Sequence, residues 1–317
     1  MGICLKCGKT TIQPGTLCAC GKAYTVRENH GKDPLSVLGK FLANKFIPIA
    51  VTAVKHHTVC YEAIQPAVDR TVSLTVIRPE CAKNEAMMTA FRKTIDAFVS
   101  IKQQNLPTIL EAIELKAERT RAIICDAAKG ELLTNFVKSG SVEPVTQMHI
   151  VHQLLQAIAA LHQNHILFPG FCMENVHILR SGGDDAFVKI SGILEANLAA
   201  LNKHPSPQKD IYDITQLILS LITNQLPPIT SIDLPPDRAF LMPIAQLFLA
   251  AATNPQAFNS CADLLTTFES ALNLGHVRDT NQTPLSSQEN PAVDAVKSHT
   301  VPLEQILWMH QPPQYEA

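Results

Sequence analysis

The chain has 317 residues, of which 46% are hydrophobic and 17% charged, so it can bury a large core and is too apolar to be disordered throughout. Lys and Arg number 26 against 28 Asp and Glu, a formal charge of -2 that gives no footprint for nucleic acid or an anionic membrane. No apolar run reaches the roughly 18 residues of a membrane span, and MGICLKCGKT lacks the apolar core of a secretory signal. The expectation is a soluble cytoplasmic protein of about two structural units.

The first 30 residues hold four of the nine cysteines and little that packs as a core. Cys4 and Cys7 form a C-x2-C pair, Cys18 and Cys20 a C-x-C pair, and Gly8 and Gly21 follow directly. Two tight turns that each present two thiolates build a tetrahedral zinc site, and the glycines permit the backbone approach that such turns need. The expectation is a structural zinc ribbon over residues 1–30. The second pair is one residue short, which leaves His30 as a substitute ligand. Cys60, Cys81, Cys125, Cys172 and Cys261 stand singly in apolar surroundings, as thiols in a reducing compartment do and a disulfide framework does not.

Strand signals come next. FIPIAVTAV, HTVCYEAIQ and RTVSLTVIRP carry β-branched residues bounded by Pro, Asp and Arg. A helix is expected from about Asn84 to Gln103, followed by two short apolar runs, PTILEAIEL and TRAIICDAA. After Gly140 the pattern turns helical: Met148, Val151, Leu154, Leu155, Ile158 and Leu161 recur at helical spacing. DIYDITQLILSLIT, PIAQLFLAAAT and CADLLTTFESAL complete the series. From Gly275 the text is polar and proline-bearing, a flexible tail over 275–317 with one apolar motif at 301–309. His149, His152, His162 and His165 have mixed spacing and no carboxylate or Cys companion, so they are expected on solvated faces.

Laid end to end, residues 33–273 resemble a bacterial serine/threonine protein kinase domain. RTVSLTVIRP looks like its third strand, LHQNHILFPGFCMENVHIL like its catalytic-loop region, and VKISGIL like its metal-binding loop. DIYDITQLILSLITNQLPP looks like its central helix. The resemblance implies an α+β, bilobal protein-kinase-like fold, with a β-rich N-lobe over about 33–125 and a helical C-lobe over about 126–273, preceded by the ribbon.

The positions that carry phosphoryl transfer in that family are changed. The glycine-rich loop reads Ala53, Lys55 and Thr58. The phosphate-binding lysine falls on Thr75, and its helical glutamate partner on Thr94. The catalytic base falls on Gly170, which has no side chain to accept a proton. The main metal ligand falls on Gly192. Asn175 survives, and Glu195 lies close in sequence to the lost metal position, whereas Asp184 and Asp185 read as a strand-connecting turn. Asp210 sits where the family's central-helix aspartate holds the catalytic loop, a structural role. A slot lined by Val59 or Cys60, Leu74, Cys125 and Ile190, floored near Leu179, would be the remnant of the nucleotide pocket. Cys172 falls on the catalytic-loop lysine position and reads as a spectator.

The reading that follows is an inactive pseudokinase with structural zinc, acting as a scaffold or regulator in bacterial signalling, with no catalytic residue and no Mg-ATP requirement. The alternative is a divergent kinase or a nucleotide-binding sensor that uses Glu195 and Asn175 for the metal. The apolar motif at Val301 to Met309 is expected either to dock in a partner's groove as a short helix or to fold back onto the chain's own helical lobe. Thr300, Thr280 and Thr283 are phosphorylation candidates there, to be read by a phosphothreonine-binding module.

Overall fold

The computed structural model describes residues 1–11, 13–27, 33–128, 130–138, 142–180, 186–200 and 205–277. His30, Asp184, Asp185, Thr280, Thr283, Thr300 and the apolar motif at 301–309 lie outside the described residues. The chain divides into two compact units, Met1–Ala128 with Ser191–His204, and Lys129–Ile190 with Pro205–Ala317.

In chain order the strands β1 (Gly2–Cys4), β2 (Thr10–Thr11) and β3 (Thr25–Arg27) come first, then β4 (Ile47–Val54), β5 (Thr58–Gln65) and β6 (Arg70–Ile77). Helices α1 (Pro79–Ala82) and α2 (Glu85–Val99) lead to β7 (Ile109–Leu115) and β8 (Thr120–Asp126). Next are β9 (Glu131–Leu132), α3 (Leu133–Lys138), α4 (Pro144–Gln163), β10 (Val176–Arg180) and β11 (Ala186–Ile190). The remainder is helical: α5 (Ile193–Ala199), α6 (Pro207–Thr223), α7 (Met242–Thr253) and α8 (Cys261–Val277).

In the first unit β4 to β8 form one antiparallel sheet in the order β4-β5-β6-β8-β7. The two-residue side-chain period sorts its faces. Val59 and Tyr61 of β5, Val72, Leu74 and Val76 of β6, and Ala122 and Ile124 of β8 share one core with Val37, Leu38 and Phe46. Ile77, Ile123 and Cys125 belong to a second core on the other face, with Met87, Met88 and Phe91 of α2 and Leu198 of α5. This parity corrects the expected slot. Val59 and Leu74 face the closed core and are fully buried, whereas Cys60 and Cys125 alternate with them. Ile190 and Leu179 belong to the β10–β11 hairpin of the second unit.

The β1–β3 sheet is part of the same unit and no detached leader. Val26 of β3 is fully buried in the first core and Ile3 of β1 packs against it. Arg27 is paired with Glu62 of β5 at 2.8 Å. Gly15 has φ +85°, and a Cβ there would meet the Ile64 side chain at 2.2 Å, so the ribbon's backbone lies hard against the sheet.

Helix α2 starts where Asn84 accepts a hydrogen bond from the Met87 N–H at 3.0 Å, an N-cap. It stops at Val99, a turn before the expected Gln103, because the Ser100 hydroxyl bonds back to the Ala97 carbonyl at the cap.

In the second unit α6 is apolar on nearly every side, and Ile211, Ile214, Ile218, Leu219 and Leu221 are fully buried. Ser206 caps it and Pro207 opens it. It packs against α4 and α7, with α8 against α4. Among the described residues no helix is long and apolar enough to cross a membrane.

Candidate functional site

The four N-terminal cysteines converge. Their sulfurs all lie within 4.8 Å of one another, with Cys4 and Cys20 at 3.8 Å and Cys7 and Cys18 at 3.5 Å. A tetrahedral ion with metal–sulfur bonds of about 2.3 Å needs edges of about 3.8 Å, so the thiols fit one metal ion. The missing residue of the second pair is absorbed in its turn. Gly8 donates its N–H to the Cys4 carbonyl four residues back, whereas Gly21 donates to Cys18 three back, both at 2.8 Å and both with φ near +70°. The backbone N–H groups of Cys7 and Lys6 pull the Cys4 thiol down to about 7. At Cys18 the Cys20 N–H favours the thiolate, yet burial and the three neighbouring thiols drive the group up to about 11.

The Thr75 position is filled by an internal pair. Thr75 of β6 and Cys60 of β5 stand directly opposite each other in the ladder. Both donate to one oxygen, Oε1 of Glu195, the Thr75 hydroxyl at 3.0 Å and the Cys60 thiol at 3.0 Å. Gly192, with φ +82°, caps α5 and turns the chain so that Glu195 falls in its first turn, where the helix dipole favours a carboxylate. Leu194 and Leu198 anchor α5 in the core it shares with α2. Burial, and then the Glu195 charge, push the Cys60 thiol well above its ordinary value, which keeps it a donor. Thr94 lies on α2 and makes no hydrogen bond with Thr75, which bonds to α5 instead. Of the three loop positions, Ala53 is in β4 paired with Cys60. Lys55 and Thr58 close a tight hairpin around His56 and His57, the Lys55 N–H donating to the Thr58 carbonyl at 2.9 Å.

In the second unit the loop after α4 is held from below by α6. Asp210, 1% exposed, accepts the Phe168 N–H on Oδ2 at 2.6 Å. The same oxygen lies 3.1 Å from His162 Nε2. His162 Nδ1 accepts the Cys261 N–H at 3.1 Å, so Nε2 carries the proton and donates to Asp210. This corrects the expectation of solvated histidines: the His162 side chain is 3% exposed and joins α4, α6 and α8. Sequence spacing carried no sign of it, because both partners are remote in the chain. The Gly170 N–H goes to Asp213 of α6 at 3.2 Å, and Gly170 has φ +77°, a conformation that strains any side chain. Asn175 is buried in a short 3-10 turn, and its Oδ1 accepts both the N–H of Cys172 at 3.1 Å and its thiol at 3.0 Å. The one Asn175 atom able to ligate a cation thus binds its own loop.

The architecture matches solved protein kinases. The kinase domain of Mycobacterium tuberculosis PknI is 18% identical over 72% of this chain and 96% of its own, with a TM-score of 0.51. Drought responsive inactive kinase 1, a pseudokinase crystallised with ENMD-2076, is 12% identical over 69% of this chain and 89% of its own, with a TM-score of 0.55. An apo pseudokinase is 11% identical over the same shares, with a TM-score of 0.56. No family model matches the chain, and no curated protein does. At these identities the likeness establishes a protein-kinase-like fold, and the cysteine cluster fits a zinc ribbon ahead of it.

Proposed function

We propose that the protein is a catalytically inactive pseudokinase, stapled by structural zinc on Cys4, Cys7, Cys18 and Cys20, that acts as a scaffold or regulatory interaction module in bacterial cytoplasmic signalling. The observation that carries this is the bond from Thr75 to Glu195. Where the kinase resemblance expects a cation for phosphate, a neutral hydroxyl meets a buried carboxylate, and that pair repels a nucleotide's phosphates. The commitment of Asn175 to Cys172 supports the same reading, as do the bare backbones of Gly170 and Gly192. Four thiols at tetrahedral spacing support zinc, the metal that such a closed sulfur set prefers. The tail motif at 301–309 is assigned on its sequence to a short helix that docks in a partner's groove, gated by phosphorylation of Thr300, Thr280 or Thr283 that a phosphothreonine-binding module reads.

Melting of the full chain with ATP, and with ATP plus Mg or Mn, tests the assignment, since a ligand of the native form raises the transition. The expected result is no shift at saturating nucleotide. A metal-dependent rise would replace the scaffold with a nucleotide sensor.

A further inference from the structure

The first unit carries a concavity of about 310 Å³ between the α1–α2 corner and the β7–β8 hairpin. Lys83, Arg92, Arg119 and Arg121 line it, opposed by Glu85 and Glu114. Four cations less two carboxylates leave two positive charges at one hollow of a chain whose formal charge is -2. None of these four cations forms a salt bridge or a side-chain hydrogen bond among the described residues. Glu114 stands opposite Arg121 in the β7–β8 ladder without pairing to it.

The cations are brought together by three separate pieces of backbone. Lys83 caps α1, Arg92 lies two turns into α2, and Arg119 and Arg121 flank Thr120 at the start of β8. Arg119 closes the hairpin turn in a left-handed conformation, φ +51°, with its N–H on the Lys116 carbonyl at 3.3 Å. Thr120 donates its hydroxyl to the Ile77 carbonyl, so it ties the hairpin to β6 and leaves recognition to its charged neighbours. Met88 and Ala82 give the hollow an apolar wall.

We propose that this hollow binds the dianion of a phosphate monoester. A phosphoryl group carries about -1.5 to -2 charges at neutral pH, matching the lining's excess. Three guanidinium groups offer the forked donors that phosphate oxygens accept in pairs. The volume exceeds that of the bare anion, and the apolar wall receives the ester's carbon. The inference goes beyond the pseudokinase reading and does not rest on it, because it involves neither Thr75 nor any nucleotide position.

Calorimetric titration of the full chain with phosphothreonine, phenyl phosphate and inorganic phosphate tests it. Saturable binding is expected for both esters, tighter than for inorganic phosphate and weakened by salt. Arg92→Ala and Arg121→Ala should each weaken it at least tenfold, and Arg92→Lys less than Arg92→Ala. Lys93→Ala, an exposed neighbour that does not line the hollow, should leave it unchanged. Binding to phosphothreonine alone marks a phosphorylated side chain as the source, and equal binding to phenyl phosphate marks a small ester. No saturable ester binding overturns the proposal. So does inorganic phosphate binding as tightly as the esters, or a Lys93→Ala loss equal to that of Arg92→Ala, which would mean a diffuse field.

Discussion

The cysteine knuckles and the Glu195 cluster lie in the same unit and gather acidic groups in opposite ways. At the knuckles four sulfurs approach within 4.8 Å, and among the described residues their hydrogen-bond partners are one another and the backbone N–H groups of their own turns. At Glu195 one carboxylate has two side-chain donors, Thr75 and Cys60, on adjacent strands. The first arrangement can hold a cation, whereas the second has its donors within the chain itself. Asp210, in the other unit, also takes two donors on one oxygen, while its Oδ1 is buried without a partner among the described residues. One of its donors is the backbone N–H of Phe168, so its loss disturbs a loop rather than a side chain.

Removing the metal is expected to have the largest effect. Zinc-finger peptides gain about 10 to 16 kcal/mol from their ion, and here the ribbon also delivers Val26 to the sheet's core. Elemental analysis should find one zinc per chain in wild type and none in Cys7→Ser. That variant should melt well below wild type while the second unit keeps its helical signal. Wild-type stability without zinc would erase the contrast between the two acid clusters.

Asp210→Ala comes next. It orphans the Phe168 N–H and the His162 Nε2–H, each at about 1 to 3 kcal/mol. A loss of unfolding free energy of that sum is expected, read as a lowered urea midpoint at unchanged slope, and an unchanged midpoint would remove the loop-holding role. The smallest effect belongs to Glu195→Gln, which keeps an oxygen acceptor for Thr75 and Cys60 and should change stability by no more than about 1 kcal/mol. A loss as large as that of Asp210→Ala would show that the Glu195 charge, and not only its oxygen acceptor, holds Thr75 and Cys60.

The strands were readable because β-branched residues at period two mark them whatever they pack against: RTVSLTVI is a strand in sequence and in space. The cysteine spacing was equally readable, since ligand pairs are local. Two features were not. Helix α5 is seven residues long and has no capping side chain, so nothing in ILEANLA marks a helix, and the donors for Glu195 lie 120 and 135 residues away. His162 likewise meets partners 48 and 99 residues distant. The fusion of the ribbon with the sheet was hidden for a related reason, because the cysteines drew a boundary across which Val26 packs.

Incorporation of labelled phosphate from Mg-ATP or Mn-ATP, into the protein itself and into a generic acceptor, tests the central claim most directly. In active kinases the lysine, base and metal ligand act as a unit. On the proposed reading Thr75, Gly170 and Gly192 stand in their places, and no incorporation above background is then expected. Incorporation that disappears in Glu195→Ala or Asn175→Ala would contradict the account and assign those two residues to the metal of a working kinase.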